Sequence, residues 1–290
     1  MEKLHSRVRM PSRSNLAPGL KIATIIAAAL AIFHQDLTII ANDALQAEFM
    51  SHILAVPFLF SYLIYRKRKM LTAVMPLQNQ NQPNETRHLP TIAGILLSIT
   101  AILVYWHGSY TFTPLEYHMI ALPIFVAGLS LILFNPQTLR QLAFPIAFLT
   151  FLTPPPTEIV YALGSTLSTI SSEASYTIVH SLGISSNLTN EYGNPTIQIT
   201  RPGGATMSFA VDIACSGIYS LIGFLIFAVF IAYIIRDKPW KKLALFLMGL
   251  SLIYILNIVR ITTILLIGYH YGEETALQLF HLLGGWTLIF

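Results

Sequence analysis

"DIACSGIYSLIGFLIFAVFIAYIIRDKPWKK" (residues 212–242) begins at a polar edge, holds the only cysteine of the chain, Cys215, and ends in a basic cluster. Between those ends lie about twenty apolar residues, enough for a helix to cross a hydrocarbon core of about 30 Å. The stretch therefore reads as one membrane span with a thiol at its water edge. Without a second cysteine, neither an internal disulfide nor a metal cluster built on thiolates is available.

Composition extends that reading to the whole chain. Of 290 residues, 54% are hydrophobic and only 10% are charged, far below the roughly one quarter typical of soluble domains. A chain of that kind cannot cover itself with polar surface, so it belongs in a bilayer. Further apolar runs fall at 20–40, 49–65, 91–106, 117–134, 141–153 and 243–260, with shorter ones at 261–271 and from 276. The expected fold is an all-α polytopic membrane protein of about eight transmembrane helices, forming a single membrane-embedded domain over 1–290. Residues 1–19 form a basic tail, and the run after it reads as a retained signal anchor rather than a cleaved signal peptide. The first five spans occupy 20–153, and 215–290 supplies the helices of the candidate site. The last span is expected to be incomplete at Phe290.

The net charge of +4 is not a nucleic-acid signal, because its distribution follows the spans. Basic residues gather in the tail, at "RKRK" (66–69), at Arg140 and at "RDKPWKK" (236–242), and of the seventeen only Arg201 and Arg260 fall outside the segments so placed in the cytoplasm. By the positive-inside rule the N-terminus is cytoplasmic and the protein is a multi-pass component of the cell membrane. Residues 154–214 are then extracytoplasmic. They open with Pro154-Pro155-Pro156, which ends a helix. Ile159, Leu163, Leu167, Ile170, Ala174 and Ile178 then recur at helical spacing among Ser and Thr, the pattern of an amphipathic helix on the outer leaflet. Around Pro202-Gly203-Gly204 the period changes to two. Ile197 and Ile199 precede the turn, while Met207, Phe209, Val211 and Ile213 follow it. A short β-hairpin leading into Cys215 is expected there, between spans five and six.

Three chemically competent residues share one depth. Cys215 lies at the outer mouth of its helix. From Lys241 the next helix rises about 28 Å to Arg260 in "ILNIVRITTILL". "LQLFHLLGGWTLIF" then sets His281 near the outer start of the last run. A thiol, a guanidinium and an imidazole at one face suit acyl transfer by nucleophilic catalysis. Arg260 stabilises the thiolate or an oxyanion, His281 moves the proton, and amides at the helix start beside Ser216 and Gly217 are candidate oxyanion donors. His270 rivals His281 as the base. Taken singly, each residue has a plainer reading: a packing cysteine, a snorkelling arginine, an interfacial histidine. The histidines show no ligand spacing, so neither a metal site nor a cofactor is expected.

"ACSGIYSL" (214–221), "NIVR" (257–260) and "HLLGGW" (281–286) resemble the exosortase/archaeosortase family of membrane cysteine transpeptidases. The likeness extends to "EFMSHILAVPFLFSYLIYRKRK" (48–69) and "LRQLAFPIAFLTFLTPPP" (139–156). It implies Cys215 as nucleophile with Arg260 and His281 completing the site, and Ser216, Gly217 and Asn257 in support. It also implies partners: surface proteins ending in a short motif, a transmembrane helix and a basic cluster, and an acceptor for the new C-terminus, a membrane lipid in archaeal members. Tyr219 stands where bacterial exosortases often carry a basic residue, which favours the archaeal branch. In some archaeal members an Arg replaces the histidine matched by His281. Asn187-Leu188-Thr189 is a glycosylation sequon in the outer segment. A reading from another class is a transporter or lipid-binding protein holding an anion on Arg260, and another is a scaffold subunit without chemistry.

Overall fold

The computed structural model describes residues 13–46, 48–74 and 88–278. They fall into two compact units, one of Met1–Asn42 with Val56–Pro154 and one of Asp43–Ala55 with Pro155–Phe290.

Helices make up the first unit: α1 (Arg13–Gln46, entering the second unit at its end), α2 (Ala55–Val74), α3 (Leu89–Gly108), α4 (Pro114–Leu133) and α5 (Pro136–Phe148). Proline in the first turn starts α3, α4 and α5, where its missing N–H costs nothing. Asn135 caps α5 by accepting the Thr138 N–H at 2.7 Å. α3 and α4 approach closely at Gly94 and Gly128, where a Cβ on either glycine would sit 2.8 Å from the other's carbonyl oxygen. A polar cluster lies among these helices. His118 Nδ1 meets Asp36 Oδ1 at 2.7 Å, and the Tyr105 hydroxyl donates to Asp36 Oδ2 at 3.1 Å.

The second unit carries α6 (Thr157–Ser181), a three-stranded antiparallel sheet of β1 (Ser186–Glu191), β2 (Asn194–Thr200) and β3 (Thr206–Ala210), then α7 (Ile218–Ile234) and α8 (Pro239–Tyr271). The period-two pattern around Pro202-Gly203-Gly204 does form a hairpin, with Ile197 opposite Phe209 and Ile199 opposite Met207. β1, the sequon strand, extends it to a meander; its residues show no apolar alternation that would have marked it. The sheet buries Ile197, Ile199 and Val211 with Val179 of α6 and Ile261 and Leu265 of α8. Gly268 lets β3 lie on α8, since a Cβ there would come within 2.7 Å of the Phe209 ring. Arg201, in the hairpin turn, donates from Nε to the Tyr269 carbonyl at 3.0 Å and so caps the end of α8.

The expected stripe on α6 does form a helix face, and that face points outward. Ile159, Leu163, Ile170 and Ile178 are exposed, whereas Gly164, Ser168, Ser171, Ser172 and Ser175 are buried. Small side chains bring backbones close, and the hydroxyls find local partners: Ser168 Oγ donates to the Val211 carbonyl and Ser172 Oγ to the Ser168 carbonyl.

The span count falls below the expected eight. Among the described residues four helices are long and apolar enough to cross a membrane: Pro18–Gln46, α3, α4 and α8. α5 and α6 add a fifth when the pair, broken at the prolines, is counted as one span. Four physical reasons account for the difference. The run at 49–65 is divided between a 3-10 helix, Glu48–Leu54, and α2, which carries the charged Arg66–Lys69. The runs at 243–260 and 261–271 are one continuous helix of 33 residues. The run at 141–153 yields only part of a 13-residue helix. α7 has 17 residues, about 26 Å, and is shorter than a full hydrocarbon core. The last expected run is described only as far as residue 278, and His281 lies outside the described residues.

Candidate active site

Cys215 sits at the corner between the sheet and α7. After β3 the chain makes one 3-10 turn, Ile213–Cys215. Asp212 caps it: its Oδ1 accepts the Cys215 N–H at 3.0 Å. Gly217 then takes φ of +84°, a left-handed conformation that reverses the chain into α7 and that other residues rarely adopt. Ser216 locks the corner from within. Its buried hydroxyl donates to the Ile213 carbonyl at 2.6 Å and accepts the Ile218 N–H at 3.2 Å.

α8 holds the corner from the other side. Asn257 is buried and donates from Nδ2 to the Ser216 carbonyl at 3.0 Å and to Ser171 Oγ at 3.3 Å. Gly217 has no room for a side chain here, because a Cβ would stand 3.0 Å from Asn257 Cγ. One turn further along α8, Arg260 donates from Nη2 to the Cys215 carbonyl at 3.0 Å. Cys215, Ser216, Gly217, Asn257 and Arg260 are thus brought together at one corner, by α8 and the tight turn that leads into α7.

Cys215 and Arg260 both line a cleft of about 230 Å³. Its walls are Ser208–Asp212 of β3 and its exit, the Arg260–Leu265 face of α8, and Glu273 with Ala276 and Leu277 beyond α8. Two polar atoms of this neighbourhood, Arg260 Nε and Asn257 Oδ1, are buried and have no hydrogen-bond partner among the described residues. Buried polar groups are nearly always satisfied, so a donor without a partner among the described residues singles out this corner of the cleft.

The electrostatics differ from the sequence expectation. A neighbouring guanidinium was expected to lower the thiol pKa. Instead burial, and after it the Asp212 carboxylate, push the Cys215 thiol up to about 12, with Arg260 acting only partly against them. A thiol raised so far is protonated at neutral pH. A second expectation also changes. Two of the amides around Cys215 are engaged: Cys215 N–H is held by Asp212, and Ser216 N–H donates to the Ile213 carbonyl at 3.1 Å. At the cleft, the side-chain donor Arg260 Nε has no partner among the described residues.

His270, the alternative base, is exposed near the end of α8 and does not line the cleft. It lies ten residues beyond Arg260, about 15 Å along the helix. His281 lies outside the described residues. Sequence reading missed Asp212 as a site residue, although an Asp three residues before Cys215 has the spacing of a cap. Glu273, in a polar turn, gave no comparable signal. No group of three or more His, Cys, Asp or Glu able to hold a metal ion occurs among the described residues.

A family model described as transmembrane exosortase matches residues 44–290. No curated protein and no solved structure matches the chain.

Proposed function

The chain belongs to the transmembrane exosortase family, membrane transpeptidases of protein sorting, and from that premise we propose that it cuts C-terminal sorting signals with Cys215. The observation that carries this reading is the cleft lined by both the only thiol of the chain and a guanidinium whose buried Nε has no partner among the described residues.

The steps follow from the residues. The substrate's tail helix stands in the bilayer beside the enzyme and brings its juxtamembrane peptide bond to the cleft. Cys215 loses its proton to a base, His281 in this reading, and its sulfur attacks the scissile carbonyl. Arg260 stabilises the oxyanion, for which a permanently charged donor in a partly desolvated site is well suited. The C–N bond breaks, the base returns the proton to the leaving amine, and a thioester remains on Cys215. An acceptor hydroxyl or amine then attacks that thioester, forms the new ester or amide, and regenerates the thiol. Tyr219 supports a place in the archaeal branch and hence a membrane lipid as acceptor. The basic clusters support a cytoplasmic N-terminus, with the cleft at the extracytoplasmic face of the cell membrane.

Release of a C-terminally tagged substrate tail tests the reading. In cells expressing the Cys215→Ala variant at wild-type level, release is expected to stop; undiminished release would defeat it. The anion-transport alternative makes the opposite forecast, with Cys215→Ser silent and Arg260→Ala inactive.

A further inference from the structure

Among the described residues β3 is the last strand of the sheet, so one of its edges has no partner strand there. The register identifies the groups that face that edge. Val211 N–H donates to the Pro195 carbonyl at 2.9 Å, and Arg201 N–H to the Ala205 carbonyl at 2.8 Å. These hydrogen-bonded pairs bracket the ladder, and antiparallel pairs alternate in type. Met207 and Phe209 therefore direct their backbone groups at β2, while Ser208 and Ala210 direct theirs away from it. Ser208 and Ala210 are exposed and line the same cleft as Cys215. No hydrogen bond to their outward N–H or C=O groups occurs among the described residues.

An open strand edge of this kind invites pairing with another extended chain. Native proteins commonly blunt such edges with charge, proline or a covering segment. Here the two lining positions carry a hydroxymethyl and a methyl group, which present no barrier to a neighbouring backbone. The edge also runs directly toward the candidate nucleophile, five residues beyond Ala210. Across the cleft, Ile264, Leu265 and Leu277 offer apolar surface to side chains that alternate along a strand.

We infer that the open edge of β3 binds the substrate segment around the scissile bond as an added fourth strand, with Ser208 and Ala210 supplying the main-chain hydrogen bonds. This rests on the reading of Cys215 as nucleophile and specifies how its substrate is held. Strand addition draws affinity from the backbone and specificity from alternate side chains. It explains how one enzyme handles a short motif without a deep pocket for every residue. The Asp212 and Glu273 carboxylates face a single guanidinium in the cleft, which favours a neutral or basic segment over an acidic one.

Proline provides the test, because it deletes a single N–H and is tolerated on an edge strand whose N–H faces outward. The substrate is a surface-protein tail that the wild-type enzyme processes. Ala210→Pro is expected to lower kcat/KM about tenfold or more, chiefly by raising KM. Thr206→Pro, on the same edge but outside the cleft, is expected to leave processing unchanged. In parallel, wild-type enzyme is given synthetic tails with one backbone N-methyl group at successive positions. Sensitivity at every second position near the cut is expected. A folded Ala210→Pro variant with wild-type kcat/KM would overturn the inference, as would N-methyl effects that lack alternation. The N-methyl series decides the matter even where the proline variant does not fold. Should Cys215→Ala stop processing while both series show no effect, strand addition fails and the nucleophile stands; continued processing by Cys215→Ala removes the nucleophile itself.

Discussion

Two polar clusters lie among the apolar helices of this protein, one in each unit, and their hydrogen bonds differ in kind. Around Asp36 the set is closed. His118 is held from both sides, by Asp36 at Nδ1 and by Ser109 Oγ at 3.1 Å from Nε2, and Tyr105 stacks on its ring at 3.8 Å. Tyr105 occupies the second carboxylate oxygen of Asp36. Around Arg260 the set is open. One guanidinium nitrogen is satisfied by the Cys215 carbonyl, while Nε and the nearby Asn257 Oδ1 are buried without partners among the described residues. An ionisable residue within a membrane span is a functional candidate by default. The comparison refines that rule. Groups that satisfy one another hold helices together, whereas groups left unsatisfied beside a cleft retain hydrogen bonds for a ligand.

The sharpest way to break the comparison is to remove one member from each cluster. Asp36→Ala strands a buried imidazole and should lower stability by about 3–5 kcal/mol. Thermal unfolding in detergent measures the loss, and processing per folded molecule should stay unchanged. Arg260→Ala should do the reverse, reducing processing about 100- to 1,000-fold with little loss of stability. If Asp36→Ala abolished processing in protein that remains folded, the closed cluster would be more than structural.

Asn257→Ala comes next in size. It withdraws the donor that holds the Ser216 carbonyl, at a cost of about 1–3 kcal/mol, and it loosens the corner that aims the thiol. Both unfolding temperature and processing should fall, and a change in only one of them would separate positioning from packing.

Thiol titration sharpens the contrast further. With a pKa near 12, Cys215 of the free enzyme should react slowly with iodoacetamide at pH 7–9 and faster as pH rises. Asp212→Asn removes a charge that raises the pKa, so alkylation at pH 8 should speed up, about tenfold for each pH unit by which the pKa falls. Arg260→Ala removes the opposing cation and should slow it. A smaller effect is expected at the α8 cap, where Arg201→Ala should cost about 1 kcal/mol, read as a lower unfolding temperature.

Residue periodicity carried some of this architecture and not the rest. Alternation from Ile197 to Phe209 marked the hairpin, and its register is held because one face of the sheet is buried and a slip by one residue would expose it. The lone Cys215 and the isolated Arg260 stood out chemically, and they do line one cleft. α6 shows why patterning has a limit in lipid. Its isoleucines mark a face correctly, but the face that packs inward is made of glycine and serine, since an apolar stripe in a membrane protein need not point at protein. The Asp36–His118 pair joins residues 82 positions apart in α1 and α4, and no local pattern specifies such a contact. The acid within an apolar run was the only clue. The span count was misjudged where two hydrophobic runs merged into α8, because no residue between them breaks a helix.

The most direct measurement is capture of the acyl-enzyme. Enzyme is incubated with a processed surface-protein tail after membrane lipids are removed by detergent exchange, quenched in acid and analysed by peptide mass spectrometry. We expect the upstream substrate fragment attached at Cys215, released by hydroxylamine, and much reduced in Arg260→Ala. Turnover of the same tail by the Cys215→Ala enzyme, or a covalent fragment on any other residue, would contradict the account.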